Sequence, residues 1–481
     1  MPSNVTISRR RLVAVGGTLA AALVAACSAP AATPTTAPKP AEPAKSAAPA
    51  AAPTNTPGSA PAATAAAPKP AAAAPATKPA VTIRFSQPTD ADTLKEWNNW
   101  FAGPFKQRNP HLTVTVESAP SAEHHSRILA QAASRTLPDT MYAQGPFAQQ
   151  FIKNGVWVPL DTFWPSDTKW QASGGIKDFF EEGVRIYQRD GKTYALPYDF
   201  GPAALVYYKP LFDEKKVPYP TNDWTYDDFK QAAIKLTEPG KTWATARIPV
   251  FGPTGMWQFE GTYLRPWGGR LVNDDETQIL IDSKEAQEAL QYWVDLAITH
   301  KAIVSVAEAK TFDVNPFLTK RVGMHWDGAW TVESLNKGGL KGTYDVVFMP
   351  KGPKERSVAA MGSGYGMAVG SNYKDDSWTM IRETTDEGME EFFAKRGRAA
   401  HARKRHAPLA LKIPDIPPNA KAWLDAYEHG KMGQPISPMA PQINDIVIRE
   451  MELLFIGKKS VKEAAETIKR DTQPLAEKNK Q

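Results

Sequence analysis

The feature that most constrains the fold of this chain is an alternation of extended and helical patterns between residues 81 and 142. The runs 81–85 and 112–116 alternate apolar and polar side chains, which predicts two strands. Between them, large apolar residues recur at spacings of three and four, which predicts a helix over about 92–107. A second helix is expected over 122–135, followed by a strand near 139–142. This order is typical of a parallel sheet covered by helices, so we expect an α/β protein.

The first 26 residues have the layout of an export signal. Three arginines, Arg9 to Arg11, precede an apolar stretch over 12–25 that ends in small residues. This stretch is too short to span a bilayer comfortably. Cys27, the only cysteine, follows directly and has no second cysteine for a disulfide. Residues 1–26 are therefore expected to direct export, by the twin-arginine or the general route, and Cys27 to carry a lipid.

Residues 27–80 are expected to form a disordered tether rich in alanine and proline. Of the 53 residues from 28 to 80, 23 are Ala, 13 are Pro and none is aromatic. Such a segment has too little apolar surface to offset the entropy lost on ordering, and proline prevents the helix that alanine favours. About 400 residues follow, which is more than one core usually supports. Because no second spacer interrupts them, we expect two lobes joined by several close crossings.

Charge separates the N-terminal region from the rest of the chain. The chain has 57 basic and 51 acidic residues, but residues 81–481 carry 50 of each. The folded part is formally neutral, so charge gives no reason to expect a nucleic-acid partner. The one basic run, at 396–406, is expected to be a solvated face because it lacks aromatic residues for base stacking.

A series of short motifs follows in a fixed order along residues 81–481. They are NGVWVPLD at 154–161, GKTYALPYD at 191–199, LVYYKPLF at 205–212, DWTYDDF at 223–229, WGG at 267–269, FLTKRVGM at 317–324, GAW at 328–330 and GKKSV at 457–461. With the opening strands and a Leu-Pro-Asp turn at 137–139, they resemble the extracellular solute-binding proteins of sugar-type ABC importers, the group that includes maltose-binding protein. The pair Lys209-Pro210 departs from the Asn-Lys that this family usually has there.

The resemblance implies a two-lobed periplasmic-binding-protein fold of type II, with hinged lobes around a central cleft. Lobe 1 would comprise 81–198 and about 361–410, and lobe 2 would comprise 199–360 and about 411–481. A bound solute would favour the closed form, which a membrane permease then recognises. The resemblance thus implies a monomeric sugar receptor, lipid-anchored at the outer face of the cytoplasmic membrane, whose partners are the permease subunits of an ABC importer.

Tryptophans in expected loops are candidates for contact with a sugar. A pyranose ring has apolar faces and polar edges, so its site needs flat aromatic rings together with in-plane donors and acceptors. Trp330 follows a glycine and an alanine, and Trp267 precedes two glycines, which would leave both indole faces accessible. The alternative is that such rings fill the core beneath a loop. The aromatic candidates at the site are Trp257, Trp267 and Trp330.

The polar candidates lie where the resemblance places the cleft. These positions lie at the ends of the first and third strands, at the expected crossing between the lobes near 196–199, and in the glycine-rich segment 362–366. The backbone amides of that segment could approach a ligand closely. Asp139 is expected to cap a turn instead. The further candidates for ligand contact are Gln87, Tyr142, Gln144, Asp199, Glu260, Asp327, Gly364 and Tyr365.

Two other classes of function remain open on the sequence. A receptor for an amino acid, a peptide or a polyamine would use the same fold, and Arg265 or Arg270 could hold a carboxylate. A surface glycosidase needs two carboxyl groups at a defined separation, but no spacing among the acidic candidates selects a pair. No enzyme, cofactor or metal site is expected, since the adjacent His124 and His125 would point about 100° apart on a helix.

Overall fold

The computed structural model describes residues 78–246, 256–309, 315–395 and 400–480, which belong to one compact unit. The expected export signal, Cys27 and nearly all of the expected tether lie outside these ranges. None of the described helices combines the length and the apolar character that crossing a lipid bilayer requires.

The opening segment forms the predicted parallel sheet. Strand β1 (Val81–Ser86) pairs in parallel with β2 (Leu112–Glu117) and with β3 (Thr140–Gln144). Helix α1 (Ala91–Trp100) continues through a π-helical turn at Phe101–Phe105 to Arg108, and α2 (Ser121–Ser134) connects β2 to β3. The predictions for these five elements are therefore confirmed.

The remaining elements complete two larger sheets and one hairpin. The other strands are β4 (Gln188–Arg189), β5 (Lys192–Thr193), β6 (Ala195–Pro202), β7 (Ala204–Tyr208), β8 (Trp243–Thr245), β9 (Val322–Asp327), β10 (Tyr344–Val347), β11 (Val358–Met367) and β12 (Gly430–Met432). The other described α-helices are α3 (Gly145–Lys153), α4 (Thr168–Ala172), α5 (Glu181–Arg185), α6 (Lys209–Lys215), α7 (Tyr226–Leu236), α8 (Lys284–Val294), α9 (Val306–Ala309), α10 (Val332–Leu335), α11 (Lys374–Thr384), α12 (Lys421–Asp425), α13 (Ala440–Phe455) and α14 (Val461–Ala476).

The first sheet has the strand order β12-β11-β3-β1-β2, and β6 also pairs with β11. Its core is rich in aromatic rings contributed by α1. Trp97 and Trp100 are 1% and 3% exposed, and Trp97 stacks on Phe101 with ring centroids 5.4 Å apart. The apolar residues that recur at helical spacing therefore form the buried face of α1, as the sequence predicts.

The second sheet has the strand order β10-β7-β9-β8 and is buried on both faces. Along β7, Leu205 and Tyr207 belong to one apolar cluster, while Ala204 and Val206 belong to another. Successive side chains of a strand point to opposite faces, so the continuous apolar run at 204–207 reflects packing on both sides.

Strands β6 and β11 pass between the two cores side by side. Phe200 packs in the core of the first sheet and Ala203 in that of the second, while on β11 Ala359 packs in the second core and Ala360 in the first. The two strands are antiparallel partners, with a register shift between Ser363 and Gly364. These passages adjoin the crossings that the family resemblance implies, and the lobe boundaries themselves stay a prediction.

In the described part of the basic run, residues 400–406, Lys404 and Arg405 are exposed as expected, but Arg403 is not part of a solvated face. Arg403 is 1% exposed, its guanidinium lies 4.5 Å from the ring centre of Phe179, and it forms an ion pair with Asp178 at 3.3 Å. Arg405 is paired with Asp386. Burying an arginine requires partners of this kind, so these charges fasten the segment to the first core.

Candidate functional site

Five of the expected site residues line one cavity of about 250 Å³, here called the inner chamber. The first sheet contributes three of them, strand β6 contributes one, and the turn after β9 contributes the aromatic ring. The inner chamber is lined by Gln87, Pro88, Tyr142, Gln144, Tyr198, Asp199, Trp330, Met361 and Ser363. Residues from the first sheet, from β6 and from the turn after β9 thus meet at one cavity.

Strand direction explains why these residues meet. Strands β1 and β3 are parallel, so their carboxyl ends lie at the same edge of the first sheet. Gln87 directly follows β1, Tyr142 lies in the middle of β3, and Gln144 ends it. The family resemblance predicted these three residues at the cleft, and the structure brings them together at one cavity.

Trp330 lies over two glycines. A Cβ atom added to Gly328 would lie 2.0 Å from Cζ3 of the indole, and one added to Gly201 would lie 3.5 Å from the same atom. The ring remains partly exposed and contacts Trp257 edge-on at a centroid distance of 5.7 Å. The absence of side chains at both glycines therefore fixes where this platform can lie.

The polar groups of the inner chamber are held by hydrogen bonds to one another. The hydroxyls of Tyr142 and Ser363 are 3.0 Å apart, and the backbone N–H of Ser363 donates to Oδ1 of Asp199 at 2.5 Å. Burial, with a further contribution from the Asp199 carboxylate, raises the pKa of Tyr427 above its usual value. Tyr427 therefore stays a neutral donor, and its hydroxyl donates to the carbonyl of Phe200 at 2.6 Å.

Gln87 lines both the inner chamber and a neighbouring cavity of about 380 Å³. Its side chain is buried, with 4% of the residue exposed, and Nε2 donates to the carbonyl of Pro88 at 3.3 Å. Oε1 has no hydrogen-bond partner within the described part of the chain. A buried amide oxygen without a partner is costly, so this atom is suited to accept a hydrogen bond from a ligand.

The inner chamber adjoins two further spaces of about 810 and 380 Å³. The larger one, here called the outer chamber, shares Trp330 with the inner chamber and lies between the first turns of α1 and the segment 327–337. Its lining includes Asp327, an expected site residue, whose Oδ2 lies 3.4 Å from Nε2 of His325. The outer chamber is lined by Asp90, Asp92, Thr93, Lys95, Glu96, Asn99, Asn315, Asp327, Trp330, Thr331, Glu333, Ser334 and Lys337.

Trp267 lies in the second core rather than at the cleft. It is 8% exposed and packs against Tyr226 and Tyr292 at centroid distances of 4.6 and 4.9 Å. The glycines behind it serve the backbone, because Gly268 has φ +86° and a Cβ on Gly269 would lie 2.6 Å from Cα of Ala286. They mark a tight turn against α8 and do not expose the indole.

Glu260 is also internal, at 3% exposure. Its Oε1 pairs with Arg265 at 2.8 Å and Arg270 at 3.2 Å, and its Oε2 accepts the backbone N–H groups of Leu271 and Val272. This fully bonded carboxylate stabilises a loop of the second core. Both arginines that could have clamped a ligand carboxylate are bonded to it.

The glycine-rich segment contributes a different residue from the two expected. Tyr365 has no exposed surface and stacks on Tyr198 at 4.7 Å, while a Cβ on Gly364 would lie 2.7 Å from Cζ of Tyr187. Ser363 is the residue that lines the inner chamber. The register shift beside Ser363 places an extra residue, Tyr198, on β6, so that the consecutive residues Tyr198 and Asp199 both line the inner chamber. Local sequence does not show such a shift.

Trp257 lies beside the site, 7% exposed, against the edge of Trp330 and next to a gap of about 10 Å³. The inner chamber is also lined by residues that the sequence did not mark, namely Pro88, Tyr198, Met361 and Ser363. The first turn of α1, in the outer chamber, was likewise not predicted.

Among the described residues, no group of three or more His, Cys, Asp or Glu side chains is arranged to hold a metal ion.

Two sheets crossed by paired strands, with a polar and aromatic cleft beside the crossing, define a binding protein of the two-lobed type. The family model for bacterial extracellular solute-binding proteins matches residues 100–407, more than half of the chain. The protein belongs to this family.

Solved structures share the fold at low sequence identity. An ABC substrate-binding protein of Listeria monocytogenes in complex with cycloalternan has a TM-score of 0.71 and 21% identity, over 82% of this chain and 98% of that one. The sugar-binding protein of Xanthomonas citri has a TM-score of 0.69 and 18% identity, over 83% and 98%. The maltose/maltodextrin-binding domain of Bdellovibrio bacteriovorus, bound to maltotriose, has a TM-score of 0.64 and 16% identity, over 83% and 99%. These likenesses identify the fold as that of type II periplasmic binding proteins.

Proposed function

We propose that this protein is the sugar-binding receptor of an ABC importer. The observation that carries the proposal is the composition of the inner chamber, which is lined by the indole ring of Trp330 together with hydroxyl, amide and carboxylate groups. Stacking and in-plane hydrogen bonds are what a sugar ring requires. The solved relatives named above, which are described as binding cycloalternan, sugar and maltotriose, support the same class of ligand.

A receptor for amino acids is less well supported. Such a site needs a basic side chain for the α-carboxylate, and none of the described residues that line the inner chamber is Lys or Arg. The two arginines considered for this role are bonded to Glu260. A glycosidase is also disfavoured, because the family consists of binding proteins. We infer that the solute is released unchanged.

Binding is coupled to transport through closure of the two lobes. A sugar that contacts Trp330 on one side and Gln87 or Tyr142 on the other makes interactions that the open form lacks, so it shifts the population to the closed form. The permease then receives the sugar from the closed, monomeric receptor.

A thermal-shift panel tests the sugar assignment. The full-length chain is heated with maltose, maltotriose, tagatose, representative amino acids and spermidine. A ligand at 100 times its Kd stabilises the native state by about 2.7 kcal/mol. We expect a sugar to raise the Tm and to change the tryptophan emission. A rise with an amino acid or with spermidine, and with no sugar, would contradict the proposal.

We also propose that the receptor is exported and anchored through a lipid on Cys27. The signal-like residues before Cys27 and the extracellular family support this placement. The variant Cys27→Ser should move the protein from the membrane fraction to the soluble exported fraction. Retention of the variant on membranes would show that another contact holds it there.

A further inference from the structure

The adjacent residues His124 and His125 lie on α2 directly beneath the end of β3. They are 0% and 6% exposed, and neither lines the cleft. Strand β3 has a parallel partner on this side only as far as Met141, because β1 ends at Ser86 and pairs with β3 only through Thr140 and Met141. The last residues of β3 therefore extend past the strand that would normally satisfy their backbone groups.

The two imidazoles supply the missing hydrogen bonds. Nε2 of His124 lies 3.1 Å from the carbonyl oxygen of Tyr142, and Nε2 of His125 accepts the backbone N–H of Gln144 at 3.2 Å. In a parallel sheet, a residue opposite Ala143 would donate to the carbonyl of Tyr142 and accept the amide of Gln144. The histidine pair thus reproduces the pattern of one residue of a parallel strand.

These bonds require opposite tautomers. A carbonyl only accepts, so Nε2 of His124 carries a proton, whereas Nε2 of His125 must offer a lone pair and its proton lies on Nδ1. The ring of His125 is held in place by stacking on Phe147 at 3.8 Å with an interplanar angle of 14°. Burial lowers the pKa of His124 to about 4 and that of His125 to about 3, so both rings are neutral at physiological pH.

We propose that His124 and His125 are positioning residues that replace a missing parallel strand and thereby fix Tyr142 and Gln144 in the ligand chamber. The inference rests on the proposed function for its ligand, while the strand-end role can be measured without one. Neither histidine contacts the solute. Each acts through the backbone of a residue that lines the inner chamber.

Paired substitutions separate positioning from packing. In His125→Gln the amide oxygen can replace the accepting Nε2, whereas His125→Leu keeps an apolar side chain and removes the acceptor. His124→Gln and His124→Leu make the matching comparison for the donor. His300→Leu, on a half-buried histidine of the second lobe, is the control for loss of an imidazole.

Hydrogen exchange at 140–147 and affinity for maltotriose are measured on the full-length variants. In His125→Leu, we expect the Gln144 amide to exchange at least about fivefold faster than in the wild type, and the affinity for maltotriose to fall by a similar factor. A fivefold change corresponds to the loss of about one hydrogen bond. His125→Gln should restore both the exchange rate and the affinity, although its Tm equals that of His125→Leu. At position 124, the glutamine variant should likewise bind maltotriose more tightly than the leucine variant.

Each outcome tests one claim. Unchanged Gln144 exchange in His125→Leu, or failure of the glutamine variants to restore exchange and affinity at equal Tm, would overturn the positioning role. If the wild type binds no sugar of the panel while exchange at Gln144 still follows the acceptor, the sugar assignment fails and the strand-end role stands.

Discussion

At the scale of single residues, the position of the Trp330 ring depends on the lack of a side chain at a neighbouring glycine. Trp330 lies where the missing side chain of Gly328 leaves room, and the φ of −80° at Gly328 is one that alanine adopts readily. A methyl group there would therefore act through the ring and leave the local backbone conformation unchanged. An alanine at position 328 would therefore test the position of the indole ring separately from the folding of the turn.

We expect Trp330→Ala to weaken sugar binding by about thirtyfold, since a central tryptophan commonly contributes about 2 kcal/mol. Gly328→Ala should weaken it comparably by displacing the intact indole. Calorimetric titration with the sugar found in the thermal-shift panel measures both. Gly370→Ala is the matched control, because a Cβ there meets nothing within 4 Å. Full affinity in Gly328→Ala would show that the ring is not the platform.

Residues at strand ends could be predicted from the sequence, while residues in long loops could not. Gln87 and Gln144 were proposed because the family resemblance places the cleft at the ends of the first and third strands, and an alternating pattern marks the first of these strands. Trp267 was misplaced because its neighbours Tyr226 and Tyr292 are far away in the chain, and a glycine-flanked tryptophan has the same local sequence in a core as in a cleft. Tyr198 was missed because the register shift that brings it to the chamber depends on pairing between strands.

At the scale of elements, helix α7 shows how a local motif holds a boundary. Thr225 and Asp228 form a reciprocal capping box, in which each side chain accepts the backbone N–H of the other residue. The backbone hydrogen bond from Thr225 lowers the pKa of Asp228 below its usual value. The motif lies within the segment 223–229 that also contributes to the family resemblance, so this part of the fold is specified locally.

The cap predicts a pH-dependent contribution to stability. Because the pKa of Asp228 is lower in the folded state, its contribution is complete above the unfolded pKa and is lost as the pH falls through the folded value. We expect Asp228→Asn to lose about 0.5 kcal/mol of unfolding free energy at pH 7, and the difference from the wild type to shrink as the pH falls toward the folded pKa. Urea unfolding between pH 7 and pH 3 measures this. Asp227→Asn, in the same turn, controls for charge, and an equal loss in that variant would argue against the cap.

At the scale of the whole molecule, the two cores are connected by strands that serve both. The chain passes between the cores on β6 and β11, and the inner chamber lies beside that passage. We therefore expect residues from the first sheet and from the turn after β9 to approach each other if these strands bend. The outer chamber, lined by α1 on one side and 327–337 on the other, should narrow in the same movement.

We expect the radius of gyration in small-angle scattering to decrease when the sugar binds. Trp330→Ala, measured at a sugar concentration near the wild-type Kd, should keep the unliganded profile. A wild-type profile that stays constant at saturating sugar would mean that the ligand is held without closure, and the proposed signal to the permease would then be wrong.

The pairing of β6 with β11 has a mechanical consequence. Strands β6 and β11 are hydrogen-bonded to each other where they pass between the cores, so they form one ribbon and should bend together. We therefore expect the lobes to move along a single angular coordinate, so that one spin-label distance across the mouth would describe the whole opening. A transporter that contacts both rims would then need to sense only that angle to distinguish a loaded receptor from an empty one.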